Sequence, residues 1–235
     1  MSMKIIITGA TKGIGRAIAQ KFAAEGFDLA ICSRNNDDLK IFKKELLAAN
    51  PNIEVLTKVA DVRKKTQVLA FAQHIKKHWK EVDILVNNAG LFIPGEISKE
   101  DDGALEQMIE TNLYSAYHLT RALLPVMLKK GSGHIFNMCS IASLIAYPNG
   151  GSYSISKFAL LGFSKVLREE MKSKGIKVTS IMPGATWSNS WAGVDLPESR
   201  LMQANDIAIA VWGAWQMSPS AVVEDIVIRP QLGDL

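Results

Sequence analysis

A phenol and an ammonium stand four residues apart at Tyr153 and Lys157, in the run Tyr153-Ser154-Ile155-Ser156-Lys157. In a helix, residues at this spacing share a face, one turn apart. Such a pair suits proton transfer: the phenol gives or takes the proton, and the ammonium favours the phenolate. An unperturbed tyrosine has a pKa of about 10, so work near neutral pH needs a drop of about three units, roughly 4 kcal/mol of differential stabilisation. Ser140 lies thirteen residues before Tyr153, at the end of the apolar run His134-Ile135-Phe136-Asn137-Met138-Cys139. A hydroxyl there can hold a carbonyl oxygen as charge develops on it.

A second chemical signal is the glycine-rich stretch Thr8-Gly9-Ala10-Thr11-Lys12-Gly13-Ile14-Gly15. It follows the first expected strand and opens a helix. Glycines there allow a tight turn and let a phosphate approach backbone amides, with the positive end of the helix behind it. The candidate cradle is Gly9, Thr11, Lys12, Gly13, Ile14 and Gly15. Its spacing, G-x-x-x-G-x-G, differs from the commoner G-x-G-x-x-G. About twenty residues on, the second strand ends Ile31-Cys32-Ser33-Arg34-Asn35, without the acidic residue that grips a free ribose 2′-hydroxyl. Asp37 and Asp38 come later, where they are expected to cap the next helix. Ser33, Arg34 and Lys12 offer donors and positive charge that suit a 2′-phosphate, so NADP(H) is the expected cofactor. Asp61-Val62 follows the third strand; Asp61 suits an adenine amino group and equally a helix cap. Asn88, Ala89 and Gly90 end the fourth strand, where small and amide side chains line a ligand crevice.

These residues need a frame that brings the ends of several strands together. Short β-branched runs alternate with helical patterns along the chain. The expected strands are Met3–Thr8, Asp28–Ser33, Ile53–Val59, Asp83–Asn87, His134–Cys139, Lys177–Met182 and Asp225–Arg229. The expected helices cover about 13–25, 36–49, 64–80, 101–130, 152–174 and 204–217. Several strands are apolar along most of their length, as when both faces of a parallel sheet are covered. The expectation is an α/β, doubly wound (Rossmann) and mostly parallel seven-stranded sheet with helices on both faces. No repeat or linker divides residues 1–235, so one dinucleotide-binding and catalytic domain is expected. The irregular stretch at about 183–203 has the length of a binding loop. It carries Pro183, Gly184, Thr186 and Ser188, with Trp187 and Trp191 placed to stack on a flat substrate or to pack the loop down.

Bulk properties exclude other classes. The net charge of +4 invites a nucleic-acid reading, but the lysines at 43–44, 64–65, 76–80 and 129–130 are dispersed on helix faces. No nucleic-acid partner is expected. No apolar run approaches the ~20 residues needed to span a bilayer. A strand begins almost at the first residue and leaves no room for a leader. A cytoplasmic location is expected, with Cys32 and Cys139 as buried free thiols. His74 and His78 stand at i, i+4 without a third ligand, and no metal is expected.

The ordered set Thr8-Gly9-x-x-x-Gly13-x-Gly15, Asn87-Asn88-Ala89-Gly90, Asn112, Ser140, Tyr153-x-x-x-Lys157 and Pro183-Gly184 resembles the short-chain dehydrogenase/reductase family over nearly the whole chain. The whole chain resembles its 3-oxoacyl-carrier-protein reductases; the C-terminal half is similar to bacterial sepiapterin reductase-like members. The resemblance implies a nicotinamide cofactor and an Asn112-Ser140-Tyr153-Lys157 tetrad. Tyr153 would then be the proton donor in carbonyl reduction. Lys157 would lower the Tyr153 pKa and bind the cofactor ribose, and Asn112 would hold a water linking Lys157 to solvent. It also implies contacts to the cofactor from Gly90 and from the loop after Pro183. Thr186 and Ser188 stand where the family commonly has an aliphatic residue and a threonine, and Arg229-Pro230-Gln231 replaces a frequent Asp-Gly-Gly. The expected substrate is a small-molecule carbonyl or acyl thioester. The expected assembly is a homodimer or homotetramer built on the helices at 101–130 and 152–174. The competing expectation is an NADP-binding sensor or scaffold without turnover.

Overall fold

The computed structural model describes residues 2–187 and 197–234. Seven parallel strands form one sheet in the order β3-β2-β1-β4-β5-β6-β7. They are β1 Lys4–Thr8, β2 Asp28–Ser33, β3 Val55–Val59, β4 Ile84–Asn87, β5 Gly133–Met138, β6 Ile176–Pro183 and β7 Asp225–Ile228. The helices are α1 Gly13–Ala24, α2 Asn36–Ala49, α3 Lys65–His78, α4 Ala104–Ile109, α5 Ser115–Lys130, α6 Gly151–Met171 and α7 Ala204–Trp215.

The apolar strands are covered on both sides, and alternate residues serve different layers. Ile5 and Ile7 of β1 face a core shared with Phe22, Phe42 and Val211, while Ile6 faces Phe71, Leu119 and Leu123. Trp212 completes the first layer, edge-on to Phe22 at 5.2 Å between ring centroids. Both cysteines are free and buried, as expected. The chain runs outward from β1 to β3 and then returns to place β4 on the other side of β1. That reversal opens a crevice at the carboxyl ends of β1 and β4, the place where such sheets bind ligands.

One expected element is corrected. Residues 101–130 do not form one regular helix: α4 ends at Ile109, a π turn covers Glu110–Tyr114, and α5 follows. The wider turn carries Asn112, whose side chain is held by groups far away in sequence. π turns recur at functional sites because they re-aim a side chain that a regular helix would misplace. The other boundaries move by only a few residues, the ordinary fraying of element ends. Among the described residues no helix is long and apolar enough to cross a membrane, and no cluster of three His, Cys, Asp or Glu could hold a metal.

Candidate active site

The glycine turn is built by close approach to β4. Thr8 Oγ1 accepts from the backbone N–H groups of Asn88 and Ala89, both at 3.0 Å. The Asn88 amide donates to the carbonyls of Thr8 (2.9 Å) and Gly9 (3.2 Å). A Cβ on Gly15 would sit 2.5 Å from the Gly9 carbonyl and collide with the Asn88 amide, so only glycine fits. Gly9 and Gly13 take φ of 64° and 54°, which glycine adopts without strain. The Lys12 side chain does not cap α1, and the first amides of that helix are directed at the crevice mouth. Thr11 is buried, and its hydroxyl donates to Ser33 Oγ at 3.1 Å, joining the turn to the end of β2.

At the outer end, Arg34 is exposed beside this turn. Lys12 is less free than its sequence position implied: its ammonium lies 3.3 Å from Asp38. A cleft of about 330 Å³ opens between Thr11, Lys12, Arg16, Asp38 and Ile41. The expected caps are corrected here. Asn35, not Asp37 or Asp38, caps α2, accepting from both of their N–H groups at 2.8 and 3.1 Å. Asp61 does not cap α3 with its side chain. Arg63 grips its carboxylate with two prongs, Nε to Oδ1 at 3.0 Å and Nη2 to Oδ2 at 2.6 Å, and holds it below the usual carboxylate range. Val62 lies beside it, packed onto the α3 side of the core.

The four tetrad positions converge at the other side of the crevice. Lys157 is buried and donates to the Met138 carbonyl at 2.7 Å, at the end of β5. Its ammonium lies 5.7 Å from the centroid of the Tyr153 ring, one turn earlier on α6. Ser140 follows β5, and its Oγ accepts from Ala142 N–H at 3.1 Å, leaving its proton to donate. Asn112 Oδ1 accepts from Leu91 N–H at 2.7 Å, while Nδ2 donates to the Leu91 carbonyl at 3.0 Å and to Ser156 Oγ at 2.8 Å. A Cβ on Gly90 would lie 3.5 Å from Asn112 Oδ1 and 3.6 Å from Lys157 Nζ, so both side chains reach the same glycine.

Burial dominates the electrostatics of the pair. Burial raises the Tyr153 pKa; a hydrogen bond from Ser140 lowers it, and Cys139 adds to the rise. The net direction is up, so the protein's own groups do not prepare a phenolate. Burial also lowers Lys157, from 10.5 to about 8. Both groups have lost water, and the ammonium sits over the ring instead of on the hydroxyl. Asn112 is also more constrained than a simple water holder. Both of its Nδ2 hydrogens are engaged, so only an Oδ1 lone pair remains for any further partner.

Beyond β6, Gly184 N–H donates to Ile228 at 2.8 Å, and the buried Thr186 hydroxyl donates to the Gly184 carbonyl at 3.0 Å. Trp187 is half-buried and held by its N–H to Met202 at 2.8 Å. Ser188 and Trp191 lie outside the described residues.

The family model described as short chain dehydrogenase matches residues 3–197. The chain belongs to the short-chain dehydrogenase/reductase family. It is 34% identical to a sepiapterin reductase of Chlorobaculum tepidum, covering 98% of this chain and 97% of that one. It is 31% identical to an NADP-dependent 3-hydroxy acid dehydrogenase of Salmonella typhi, covering 97% and 95%. Among solved structures it superposes on an alcohol dehydrogenase from Thermococcus sibiricus, complexed with 5-hydroxy-NADP. The TM-score is 0.90 at 27% identity, covering 98% and 97%. It matches L-sorbose reductase from Gluconobacter frateurii, complexed with NADPH and L-sorbose, at a TM-score of 0.88 and 26% identity, covering 97% and 95%.

Within this family fold, sequence reasoning passed over several residues that shape the site. Phe92 packs edge-on against Tyr153 at 4.8 Å between centroids. Asp234 accepts from Ala185 N–H at 3.3 Å and is anchored by Arg229 Nε at 2.7 Å. Arg63 holds Asp61, and Glu100 meets the start of α6. Only Arg63 lay close enough in sequence to be found, two residues from its partner.

Proposed function

We propose that this oxidoreductase reduces a neutral ketone with NADPH, with Tyr153 as proton donor. One observation carries the reading: Ser140, Tyr153, Lys157 and Asn112 gather around the Gly90 end of β4, across the crevice from an open glycine turn. The turn fits a dinucleotide, because Gly15 leaves no room for a side chain and α1 presents uncapped amides. Arg34, Ser33 and Lys12 would hold the 2′-phosphate, and the NADP-dependent Salmonella relative and the similar structures complexed with 5-hydroxy-NADP and NADPH support that cofactor. Pro183, Gly184, Thr186 and Ser188 would flank its nicotinamide end.

Bound NADPH supplies the hydride that the carbonyl carbon takes up. Ser140 would turn its hydroxyl proton from Tyr153 to the carbonyl oxygen and hold that oxygen as charge develops. Tyr153 completes the alcohol by giving its proton to that oxygen. A phenol held protonated by burial is in the state a donor needs. Lys157 would lie beside the resulting phenolate and favour it, while Asn112 fixes the loop at Leu91 against α6.

The substrate reading comes from the walls. Phe92, Leu144, Ile145 and Tyr147 are exposed apolar or aromatic side chains in the two segments next to Tyr153 and Ser140. Residues 141–150 contain no charged side chain. A carboxylate substrate would find no cation there, which favours a flat or apolar ketone such as a pterin side chain. A 3-oxoacyl thioester is the second candidate. Exposed Tyr114, Ile155, Phe158 and Val166 on the π turn and α6 support a homodimer or homotetramer.

The test is NADPH oxidation across a panel of aryl ketones, pterin ketones, 3-oxoacyl thioesters and 3-oxo acids, with Tyr153→Phe alongside. Neutral ketones are expected to be turned over, and the variant to lose about 100- to 10,000-fold in kcat while still binding NADPH. A variant with near-normal turnover would remove Tyr153 from the chemistry. Binding without oxidation across the panel would point to a sensor.

A further inference from the structure

We infer that Glu100 is a positioning residue for Tyr153, acting on the first turn of α6 from outside the helix. The inference rests on the reading of Tyr153 as proton donor. A helix start leaves backbone N–H groups without partners, and the residue preceding α6 is Gly150, which has no side chain to offer them. Glu100 supplies what is missing. Its Oε1 accepts from Ser152 N–H at 2.8 Å, and Oε2 accepts from the Ser152 hydroxyl. A carboxylate is favoured there by the positive end of a 21-residue helix. Ser152 is the residue immediately before Tyr153.

The surroundings are shaped to admit this carboxylate. Gly95 and Gly150 form a parallel bridge, and Gly95 N–H donates to the Asn149 carbonyl at 3.0 Å. A Cβ on Gly95 would lie 2.6 Å from Glu100 Cγ. A Cβ on Gly151 would lie 2.6 Å from the Gly95 carbonyl and would collide with Glu100 Oε1. Asn149 takes a φ of 61°, a conformation few side chains adopt, to turn the chain into the helix.

The same loop supports the site at its other end. Leu91 is bonded by Asn112, and Phe92 packs on the Tyr153 ring. Glu100 therefore closes a loop that begins at the tetrad and returns to the helix carrying it. Releasing it frees the first turn of α6 to tilt or unwind, and Tyr153 moves with it. The glycine turn that would bind NADPH lies at the ends of β1 and β4 and is bonded to Asn88 and Ala89, whereas Glu100 is bonded to Ser152.

The experiment compares Glu100→Ala, Glu100→Gln, Ser152→Ala and Tyr153→Phe, with the fastest ketone of the panel as substrate. Glu100→Ala is expected to lower kcat about 10- to 100-fold, the cost of a displacement near 1 Å. NADPH affinity, read by fluorescence titration, should stay within about twofold, because the cofactor cradle is untouched. Glutamine keeps an oxygen for Ser152 N–H and offers an N–H to its hydroxyl, so Glu100→Gln should recover most of kcat. Ser152→Ala keeps the main-chain bond and should fall in between; it carries the test if the alanine variant at 100 does not fold. Full kcat in Glu100→Ala, or in Ser152→Ala where the former is unfolded, overturns the inference. So does a glutamine variant as slow as alanine, which would mean that charge matters and position does not. If Tyr153→Phe is itself active, the reading of the site has failed, and that outcome is distinct from failure at Glu100.

Discussion

Replacing Lys157 with methionine should stabilise the protein near neutral pH while removing its activity. The ammonium is buried, with the Met138 carbonyl as its hydrogen-bond acceptor, and burial brings its pKa from 10.5 to about 8. That difference of 2.5 units corresponds to about 3 kcal/mol at 1.36 kcal/mol per unit. The sign follows from where the proton resides. Below pH 8 the folded and unfolded states both hold it, and folding bears the full cost of burying a charge. Between pH 8 and 10.5 the unfolded lysine keeps its proton and the folded one releases it, so stability rises by about 1.4 kcal/mol per pH unit. Methionine has similar length and no charge to bury. It leaves the Met138 carbonyl one donor short, at about 1 kcal/mol, so the variant should exceed the parent by about 2 kcal/mol at pH 7. That advantage should be gone by pH 9.5, since 1.5 units above the folded pKa returns about 2 kcal/mol to the parent. Urea unfolding followed by tryptophan fluorescence at both pH values measures it. Each comparison is variant against parent, which cancels the other titrating groups. A stability difference that is identical at pH 7 and 9.5 would refute the claim that this ammonium is desolvated. A stabilised, inactive variant would show that the site keeps a charge the fold would do better without.

Arg34→Ala should raise the KM for NADPH about 10- to 100-fold and leave the KM for NADH unchanged, as expected for one lost charge-assisted hydrogen bond. Asp38→Asn releases Lys12 from its 3.3 Å ion pair and should lower the KM for NADPH; steady-state kinetics with both cofactors checks the two variants together. His134→Phe should flatten the acid side of the stability profile. Thr179 donates to the Val223 carbonyl, so His134 must donate Nε2–H to Thr179, leaving Nδ1 buried and, among the described residues, without a partner. Burial, with a smaller effect from Lys177, lowers its pKa to about 3. Stability from this residue is complete above about pH 6.5 and falls as acid protonates the unfolded chain, by about 2 kcal/mol at pH 5. Parallel urea curves for parent and variant from pH 7 to 5 would contradict it.

The parts of the site that sequence reading found are those held by local geometry. Tyr153 and Lys157 share a helix face because they are one turn apart, and no tertiary contact is needed to say so. Gly9, Gly13 and Gly15 are legible because a tight strand-to-helix turn demands glycine. The strands announce themselves because a sheet covered on both faces must be apolar throughout. The missed parts are held across distance. Glu100 and Ser152 are 52 residues apart, and nothing in either neighbourhood marks them as partners. The π turn at Asn112 depends on Leu91 and Ser156, so a helical pattern over 101–130 gave no warning of it. Asn35 took the cap assigned to Asp37 and Asp38 because its side-chain Oδ1 stands one residue before the helix, where both N–H groups point at it.

By itself, then, the order of residues determined the sheet, the glycine turn, the tetrad positions and the family, because each is set by periodicity or by steric demands within a few residues. Only the tertiary structure decided what those residues are able to do. The direction of the Tyr153 shift, the cost of the Lys157 charge and the seating of α6 all depend on which groups lose water and which meet. Burial and long-range contact are properties of the packed chain, and residue spacing does not carry them.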